Sequence, residues 1–309
     1  MGPDAAQQAG LEAPPRRPRG PRFGLGGEGA RALLVATLST IIVFGLIGYV
    51  VVNSTGWPRF QETFLNSEIF WESLPKLISK FWVNVRLFLT AEVLILVFGL
   101  VLAVLRSLSG PALFPVRLLA TVYVDVFRAI PGLLIIFILG LGVPALRIPG
   151  VPDDEFFWAV IALTLVYSAY VSEVYRSGID SVHPSQDAAA RSLGLSRWQG
   201  LRFVVLPQAV RRVIPPLLND FIGLQKDTVL VASIGVVEVF RQTQALQAAT
   251  FNFTPFLATA LIFLVVTIPL ARFTDYLLAR EKRRRSGGGG GGGTRSMEQP
   301  GIRGMGGVS

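Results

Sequence analysis

The chain has no cysteine and only one histidine, His183. Without thiols it can form neither disulfides nor thiolate nucleophiles, and His183 has no metal-ligating neighbours at a suitable spacing. The sequence also lacks a Ser/His or paired-aspartate constellation with supporting motifs. We therefore expect no catalytic residues, no metal site and no cofactor.

Charged residues are scarce as well, at 16% of 309 residues, whereas soluble proteins are about one quarter charged. Hydrophobic residues make up 51% and form runs long enough to cross a bilayer, which takes about 20 residues in a helix. The sequence thus predicts an all-α integral membrane protein. Six spans are expected, at residues 32–52, 81–105, 118–142, 156–176, 209–232 and 254–279.

The remaining segments define the predicted domain boundaries. Residues 1–31 are rich in Gly, Pro, Ala and Arg and are expected to form a disordered basic arm. Residues 32–52 are too long and too late for a cleaved signal and predict a retained N-terminal helix. Residues 53–80 are expected to be an extracytoplasmic loop, residues 81–280 the main transmembrane domain, and residues 281–309 a flexible tail.

Basic residues are distributed unequally between the two sides of the predicted spans. If the N-terminus is cytoplasmic, the arginine clusters at residues 16–31, 106–117, 176–212 and 280–285 are all cytoplasmic, whereas the opposite loops hold few basic residues. Positive charge concentrates on the cytoplasmic side, so both chain ends are predicted to lie there. Membrane orientation then accounts for the net charge of +9, and no nucleic acid partner is expected.

Residues 184–207 form a polar segment between two apolar runs. Ser185 can cap a first short helix, and Gly194 suits the left-handed conformation that ends one. From the residues alone, this segment is either an ordinary interfacial loop or a surface built for a partner outside the membrane.

A second short helix is predicted directly after Gly194. Ser196 and Gln199 have the spacing of a capping box. The helix is expected to end near Leu206, because Pro207 disfavours helical geometry in the residue before it. Two short helices at an angle therefore face the cytoplasm.

The spacing within this hairpin resembles the EAA loop of ABC importer permeases. The matching residues are Ala189-Ala190, Gly194, Val204 and Leu206-Pro207. Ala188 occupies the position of the family's Glu, and Asp187 one residue earlier is a candidate to replace it. The resemblance implies contacts to an ATPase from Asp187, Ala188, Ala189, Ala190, Gly194, Trp198, Leu206 and Pro207.

Three further stretches resemble segments of the polar amino acid permeases of the His/Glu/Gln/Arg/opine type. Residues 123–131 resemble their FRGTP segment, residues 169–178 their AYxAExxRGG segment, and residues 224–228 their LKDT segment. The similarity covers roughly residues 82–280. The extra N-terminal helix resembles that of glutamate-system subunits.

This resemblance implies a five-helix ABC type I permease core in a bacterial cell membrane, with a coupling-helix loop at residues 178–208. It implies a cytoplasmic ATPase dimer, a second permease subunit (identical or paralogous), and an extracytoplasmic amino-acid-binding protein. The implied substrate is a polar amino acid of the glutamate, glutamine, histidine or arginine type. No lysine in this chain follows a glycine, as a phosphate-binding loop requires, so ATP hydrolysis is assigned to the separate subunit.

The fifth predicted span carries a dense set of polar residues: Asn219, Asp220, Lys226 and Asp227. At a helical period they fall within an arc of about 120°. Each intramembrane charge costs about 2.5–3.5 kcal/mol on insertion scales, so a charge in a span is expected to have a structural or functional role. The set either pairs internally to hold helices together, or lines an amino acid route in which Lys226 faces a carboxylate and Asp220 or Asp227 an ammonium. Lys226 and Asp227 also lie in the LKDT-like segment, where a structural role in gating is an equal alternative.

Other polar and helix-breaking residues raise similar questions. Glu92 lies near the middle of the second span and is a candidate to recognise the ammonium group or a helix-packing cation. Pro215-Pro216 is expected to loosen the fifth span near its cytoplasmic end, as a gate requires.

Arg128, Pro131 and Glu173 lie within the family-like segments. For Arg128 and Glu173 we favour structural pairing over a role in transport. Pro131 breaks the helix that carries Arg128.

The sequence therefore favours the permease subunit of an ABC importer. The alternative is a stand-alone secondary transporter or channel, which fits the spans and intramembrane charges but leaves the capped hairpin without a role. It also predicts internal repeats, which the sequence does not display.

Overall fold

The computed structural model describes residues 27–108 and 110–287, and every regular element in them is helical. The expected all-α class is confirmed for this part of the chain. Most of the predicted basic arm and the tail from residue 288 onward lie outside the described residues. The chain divides into two units, Met1–Gln61 and Glu62–Ser309.

The first unit is built on α1, Gly27–Val52. Its apolar residues surround the whole helix, which is typical of a helix in contact with lipid rather than of one with a single core-facing stripe. Phe44, for example, is 69% exposed. A short turn leads from α1 to α2, Trp57–Phe64.

The second unit begins with the longest helix, α3, Ser67–Ser107. Asn66 caps it by accepting a hydrogen bond from the backbone N–H of Ile69 at 3.1 Å. Residues 53–80, expected as a loop, are therefore mostly helical. The prediction began the span at its first continuous apolar run, but the helix starts 14 residues earlier, in a stretch where polar and apolar residues are mixed.

α7, Glu155–Asp180, packs along α3. Asp154 caps it and accepts a hydrogen bond from the N–H of Phe157 at 2.6 Å. Gly99 lets the two helices approach closely, because a Cβ there would lie 2.8 Å from Val171 Cγ1. This pair of helices forms the centre of the second unit.

The predicted span at residues 118–142 is broken rather than continuous. α4, Phe114–Ala129, ends before Pro131, and the chain bends by 106° into the following helix. Pro131 disfavours helical geometry in the residue before it, and Ile130 is extended. The second arm consists of α5, Gly132–Phe137, a π-helical turn, Ile138–Gly142, and α6, Val143–Ala145.

Six further helical segments complete the unit. They are α8, Pro184–Ser192; α9, Arg197–Gly200; α10, Leu206–Asp227; a 3₁₀ segment, Thr228–Ile234; α11, Val239–Thr250; and α12, Thr254–Gly287. A π-helical turn, Leu201–Val205, joins α9 to α10.

The core lies where α3, α5, α7, α10 and the 3₁₀ segment meet, around Leu87, Ile136, Leu163, Leu224 and Val231. In the described residues four helices are long and apolar enough to cross a membrane, or five if the bent pair counts as one span. α10 is not among them, because it carries the polar stripe and two arginines, Arg211 and Arg212.

Candidate functional site

The polar stripe of α10 faces α7 and α3 on one side. Tyr167 of α7 donates a hydrogen bond from its hydroxyl to Asp227 Oδ2 at 2.7 Å. One residue of the predicted polar stripe, Asp227, therefore links α10 to α7.

Asp220 lies two turns before Asp227 on the same face and is partly buried. Its Oδ2 is buried and has no hydrogen-bond partner in the described part of the chain. Glu92 of α3 and Tyr167 are near enough to interact electrostatically with it. The structure thus brings the predicted Glu92, Asp220 and Asp227 to one junction of α3, α7 and α10.

Asn219 and Lys226 occupy a different face and are exposed. Lys226 borders an open cavity of about 460 Å³, whose wall on the α12 side includes Phe263, Leu264 and Thr267. The stripe predicted as one surface is therefore two: an acidic face toward α3 and α7, and an exposed face with the lysine.

A second polar cluster, which sequence reasoning missed, lies at the end of α10. Asn84 of α3, Thr228 of the 3₁₀ segment and Glu238 before α11 are at most 2% exposed. Asn84 Nδ2 donates to Glu238 Oε2 at 2.8 Å and to Thr228 Oγ1 at 3.1 Å. We refer to these three residues as the Asn84 network.

The remaining polar atoms of the Asn84 network are also satisfied. Asn84 Oδ1 accepts from the N–H of Val239 at 3.1 Å, and the Glu238 carboxylate accepts from the N–H groups of Phe240 and Arg241 at 2.9 and 2.7 Å. Glu238 therefore caps α11 while it binds α3 through Asn84. Glu is not a preferred N-cap residue, so neither the cap nor its partners could be inferred from the sequence.

Glu173 lies at the centre of a charged cluster at the end of α7. Its Oε1 is 2.6 Å from Arg106 and 3.6 Å from Arg128, and its Oε2 is 3.4 Å from Arg176. Arg176 also lies 3.3 Å from Asp180. The pair Arg128–Glu173, singled out from the sequence, is thus part of a larger set in which Arg106 makes the shortest contact.

The first helix of the hairpin starts two residues earlier than predicted. His183 rather than Ser185 is the N-cap of α8, and its Nδ1 accepts from the N–H of Ser185 at 3.2 Å. Pro184 at the first helical position favours this start, since it needs no hydrogen-bond acceptor. Gly194 has φ +84°, the predicted left-handed stop, and its N–H donates to Arg191 O at 2.9 Å.

The second half of the hairpin contains the predicted capping box. The Ser196 N–H donates to Gln199 Oε1 at 2.9 Å, and the Gln199 N–H donates to Ser196 Oγ at 3.3 Å. The predicted helix end near Leu206 is wrong. The chain passes through a π-helical turn directly into α10. Pro207 lies in the first turn of α10, where its missing N–H costs little.

Apolar side chains of the hairpin are exposed. Leu193 is 82% exposed and Phe203 64%, and Leu206 is 48% exposed. Ala188, Ala189 and Pro207 are also exposed, whereas Ala190 is buried. The side chains of Asp187 and Trp198 lie outside the described residues.

Within α10, Pro215 and Pro216 are both interior and partly buried, and the helix continues through them. The described residues contain no group of three or more His, Asp or Glu side chains that could hold a metal ion. Four polar features of the described residues have now been located: the hairpin, the acidic junction, the Asn84 network and the arginine cluster around Glu173.

We next compared the sequence with models of known protein families. The family model described as binding-protein-dependent transport system inner membrane component matches residues 95–283. The match covers more than half of the chain and runs from the second half of α3 through the hairpin and α10 to α12. The chain belongs to this family. It is therefore an inner membrane component of a transport system, and the predicted family is confirmed.

Individual relatives agree with the family. The probable amino-acid permease protein YxeN of Bacillus subtilis is 32% identical to this inner membrane component over 205 residues, 65% of this chain and 90% of that protein. The probable glutamine ABC transporter permease protein GlnM of the same organism is 36% identical over 194 residues, 62% and 88% of the two chains. A crystal structure of an amino acid ABC transporter with histidines matches with a TM-score of 0.62 and 31% identity, over 67% of this chain and 94% of that chain.

Proposed function

We propose that the chain is the permease subunit of an ATP-driven ABC importer for polar amino acids and forms half of its translocation path. Family membership and relatives named as amino-acid and glutamine permeases support this proposal. The similar fold of a solved amino acid ABC transporter points to the same substrate class. Glutamate, glutamine, histidine and arginine are the candidate substrates.

The observation that carries the proposal is the shape of the α8–α9 hairpin. Its backbone is fixed by a cap at each helix and by the left-handed Gly194, while Leu193 and Phe203 remain exposed. A rigid element with exposed apolar side chains suits docking, because little conformational entropy is lost on binding. We assign its partner as a separate cytoplasmic ATPase, present as a dimer.

For the orientation we propose six spans with both chain ends in the cytoplasm. α10 and the 3₁₀ segment together form the fifth span, and its polar face borders the translocation path rather than lipid. The arginines of the hairpin and of α10 then lie on the cytoplasmic side, in accordance with the positive-inside rule. The hairpin falls on the same side as the ATPase.

A second permease subunit, identical or paralogous, completes the path, and an extracytoplasmic binding protein delivers the amino acid. The carboxylates of Glu92, Asp220 and Asp227 supply negative charge for the substrate ammonium group. The exposed face with Asn219 and Lys226 borders either the substrate carboxylate or the second subunit.

The test is uptake of labelled amino acids by proteoliposomes that contain this chain, its ATPase and its binding protein. Gly194→Pro removes the N–H that donates to Arg191 O and excludes the φ of +84°. We expect ATP-driven uptake to fall by about tenfold or more, because distortion of a few kcal/mol is enough for that. Membrane insertion should be unchanged.

Gly142→Ala is a control for replacement of a glycine as such, since Gly142 has an ordinary helical φ of −69° and open space around it. Normal ATP-driven uptake by Gly194→Pro would reduce the hairpin to a connecting loop. ATP-independent uptake by this chain alone would instead support the stand-alone transporter.

A further inference from the structure

A cavity of about 250 Å³ lies where the end of α3, the start of α4 and the end of α7 meet. Three arginines line it, Arg106, Arg117 and Arg176, one from each helix. The rest of its wall comes from α4, with Phe114, Leu118 and Thr121. It lies at the same end of the second unit as the hairpin.

Contacts with the protein hold at least part of each arginine side chain, although that of Arg176 is 42% exposed. The Arg106 side chain is only 9% exposed, because it contacts Glu173 at 2.6 Å. Arg117 donates to Leu108 O at 3.0 Å and stacks on Phe114. The Nε of Arg176 is buried and has no hydrogen-bond partner in the described residues. Arginines that only orient a span would extend their guanidinium groups to water.

Positive charge exceeds negative charge around the cavity. In the described part of the chain, the ion pairs here join Arg106, Arg128 and Arg176 to two carboxylates, those of Glu173 and Asp180. Arg117 adds a further guanidinium. Because partly buried charges are costly unless they are paired, this excess favours a bound anion.

The start of α4 adds to this preference. Leu113 is its N-cap and makes no side-chain capping bond, and no acidic residue lies in the first turn. A helix of 16 residues has partial positive charge at its N-terminus, so the backbone also attracts an anion to this place.

The apolar part of the cavity wall indicates what kind of anion binds there. Phe114 and Leu118 are 51% and 47% exposed, on the helix that also supplies Arg117. A free inorganic anion gains nothing from such side chains, whereas a phospholipid places acyl chains directly beside its phosphate. Basic pockets at helix ends on the cytoplasmic side bind anionic headgroups.

We propose that this cavity binds the phosphate of an anionic phospholipid, with Arg106, Arg117 and Arg176 around the headgroup and Phe114 and Leu118 against its acyl chains. The assignment to the cytoplasmic leaflet rests on the proposed orientation. The binding itself depends only on the position of the cavity at the end of a membrane-spanning helix.

The test measures retention of phosphatidylglycerol and of phosphatidylcholine by the purified transporter complex, with native mass spectrometry after equilibration in mixed micelles. Arg117→Gln removes one charge without breaking an ion pair of Glu173. We expect preferential retention of phosphatidylglycerol and a loss of about fivefold in the variant, the effect of one basic residue near an anionic lipid. Arg272→Gln on α12, a matched change at an exposed arginine, should retain the lipid normally.

A parallel titration with inorganic phosphate distinguishes a lipid from a free anion. Displacement of phosphatidylglycerol only at high phosphate supports the proposal. Equal retention of the two lipids, identical retention in Arg117→Gln and wild type, or saturable binding of phosphate alone would overturn it. Occupation of this face by a second permease subunit in the complex would also overturn it, and cross-linking from position 118 detects that case. Amino acid uptake is not among these readouts, so failure here leaves the proposed function intact.

Discussion

The chain contains two polar regions that are both partly enclosed by α3 but differ in construction. In the Asn84 network every side-chain oxygen and nitrogen has a hydrogen-bond partner, and its three residues are nearly inaccessible. At the acidic junction of Glu92, Asp220 and Asp227, like charges lie near one another and Asp220 Oδ2 has no partner in the described residues.

This difference indicates that the Asn84 network stabilises the fold, whereas part of the acidic junction is buried at a cost to stability. Buried polar groups cost little when they are fully hydrogen-bonded, and considerably more when they are not. The Asn84 network holds α3, the 3₁₀ segment and α11 together. In the acidic junction Tyr167 binds Asp227, but Asp220 Oδ2 has no hydrogen-bond partner in the described residues, so the Asp220 carboxylate brings no such benefit to stability. This supports a role for Asp220 in transport.

Replacement of Asn84 should give the largest loss of stability. Asn84→Ala removes two hydrogen bonds that Asn84 donates and one that it accepts. It leaves the N–H of Val239 without its partner and takes one of three donors from the buried Glu238 carboxylate. We expect the free energy of unfolding to fall by about 2–4 kcal/mol. The thermal unfolding midpoint of the purified protein in detergent measures the change.

Asn219→Ala is the matched control, with the same substitution in the exposed face of α10. Its effect on the free energy of unfolding should stay within about 0.5 kcal/mol. If the two variants unfold at the same temperature, the Asn84 network does not stabilise the fold and the comparison fails.

The second prediction concerns Asp220, where transport rather than stability should change. Asp220→Asn keeps the shape of the side chain and removes a partly buried charge that interacts with Glu92. We expect the unfolding midpoint to stay the same or rise, while amino acid uptake falls by about tenfold, equivalent to 1.4 kcal/mol.

Asp275→Asn on α12 is the control, because Asp275 is 66% exposed. Uptake and stability should both be unaffected by that change. Wild-type uptake kinetics in Asp220→Asn would show that the acidic junction is not part of the substrate path.

The two regions were also unequally predictable. Asn219, Asp220, Lys226 and Asp227 could be grouped from the sequence, because one helical period relates them. The Asn84 network could not, since Asn84 is separated from Thr228 by 144 residues and from Glu238 by 154. The spacing of residues along a helix predicts which face is polar, but it does not predict which distant residues contact that face.

The same limit applies to the helix boundaries. Gly194 and the Ser196–Gln199 box were correctly read, since each acts within a few residues. Pro131 was correctly predicted to break its helix, whereas Pro207 was wrongly predicted to end one. Whether a proline bends a span or begins a helix depends on how the following segment packs, and hydrophobicity alone does not contain that information.

The smallest effect is expected at Tyr167, within the acidic junction itself. Tyr167→Phe removes the hydroxyl that donates to Asp227 at 2.7 Å and keeps the ring, so the loss of stability should be about 1 kcal/mol. Tyr170→Phe is the control, because its ring contact with Arg128 persists without the hydroxyl. In the Tyr167→Phe variant, the Asp227 carboxylate lacks the Tyr167 hydroxyl as a donor and so resembles that of Asp220. If Asp227 is held mainly for structure, Tyr167→Phe should lower the unfolding midpoint alone; if it serves the path, uptake should fall further than the stability change explains.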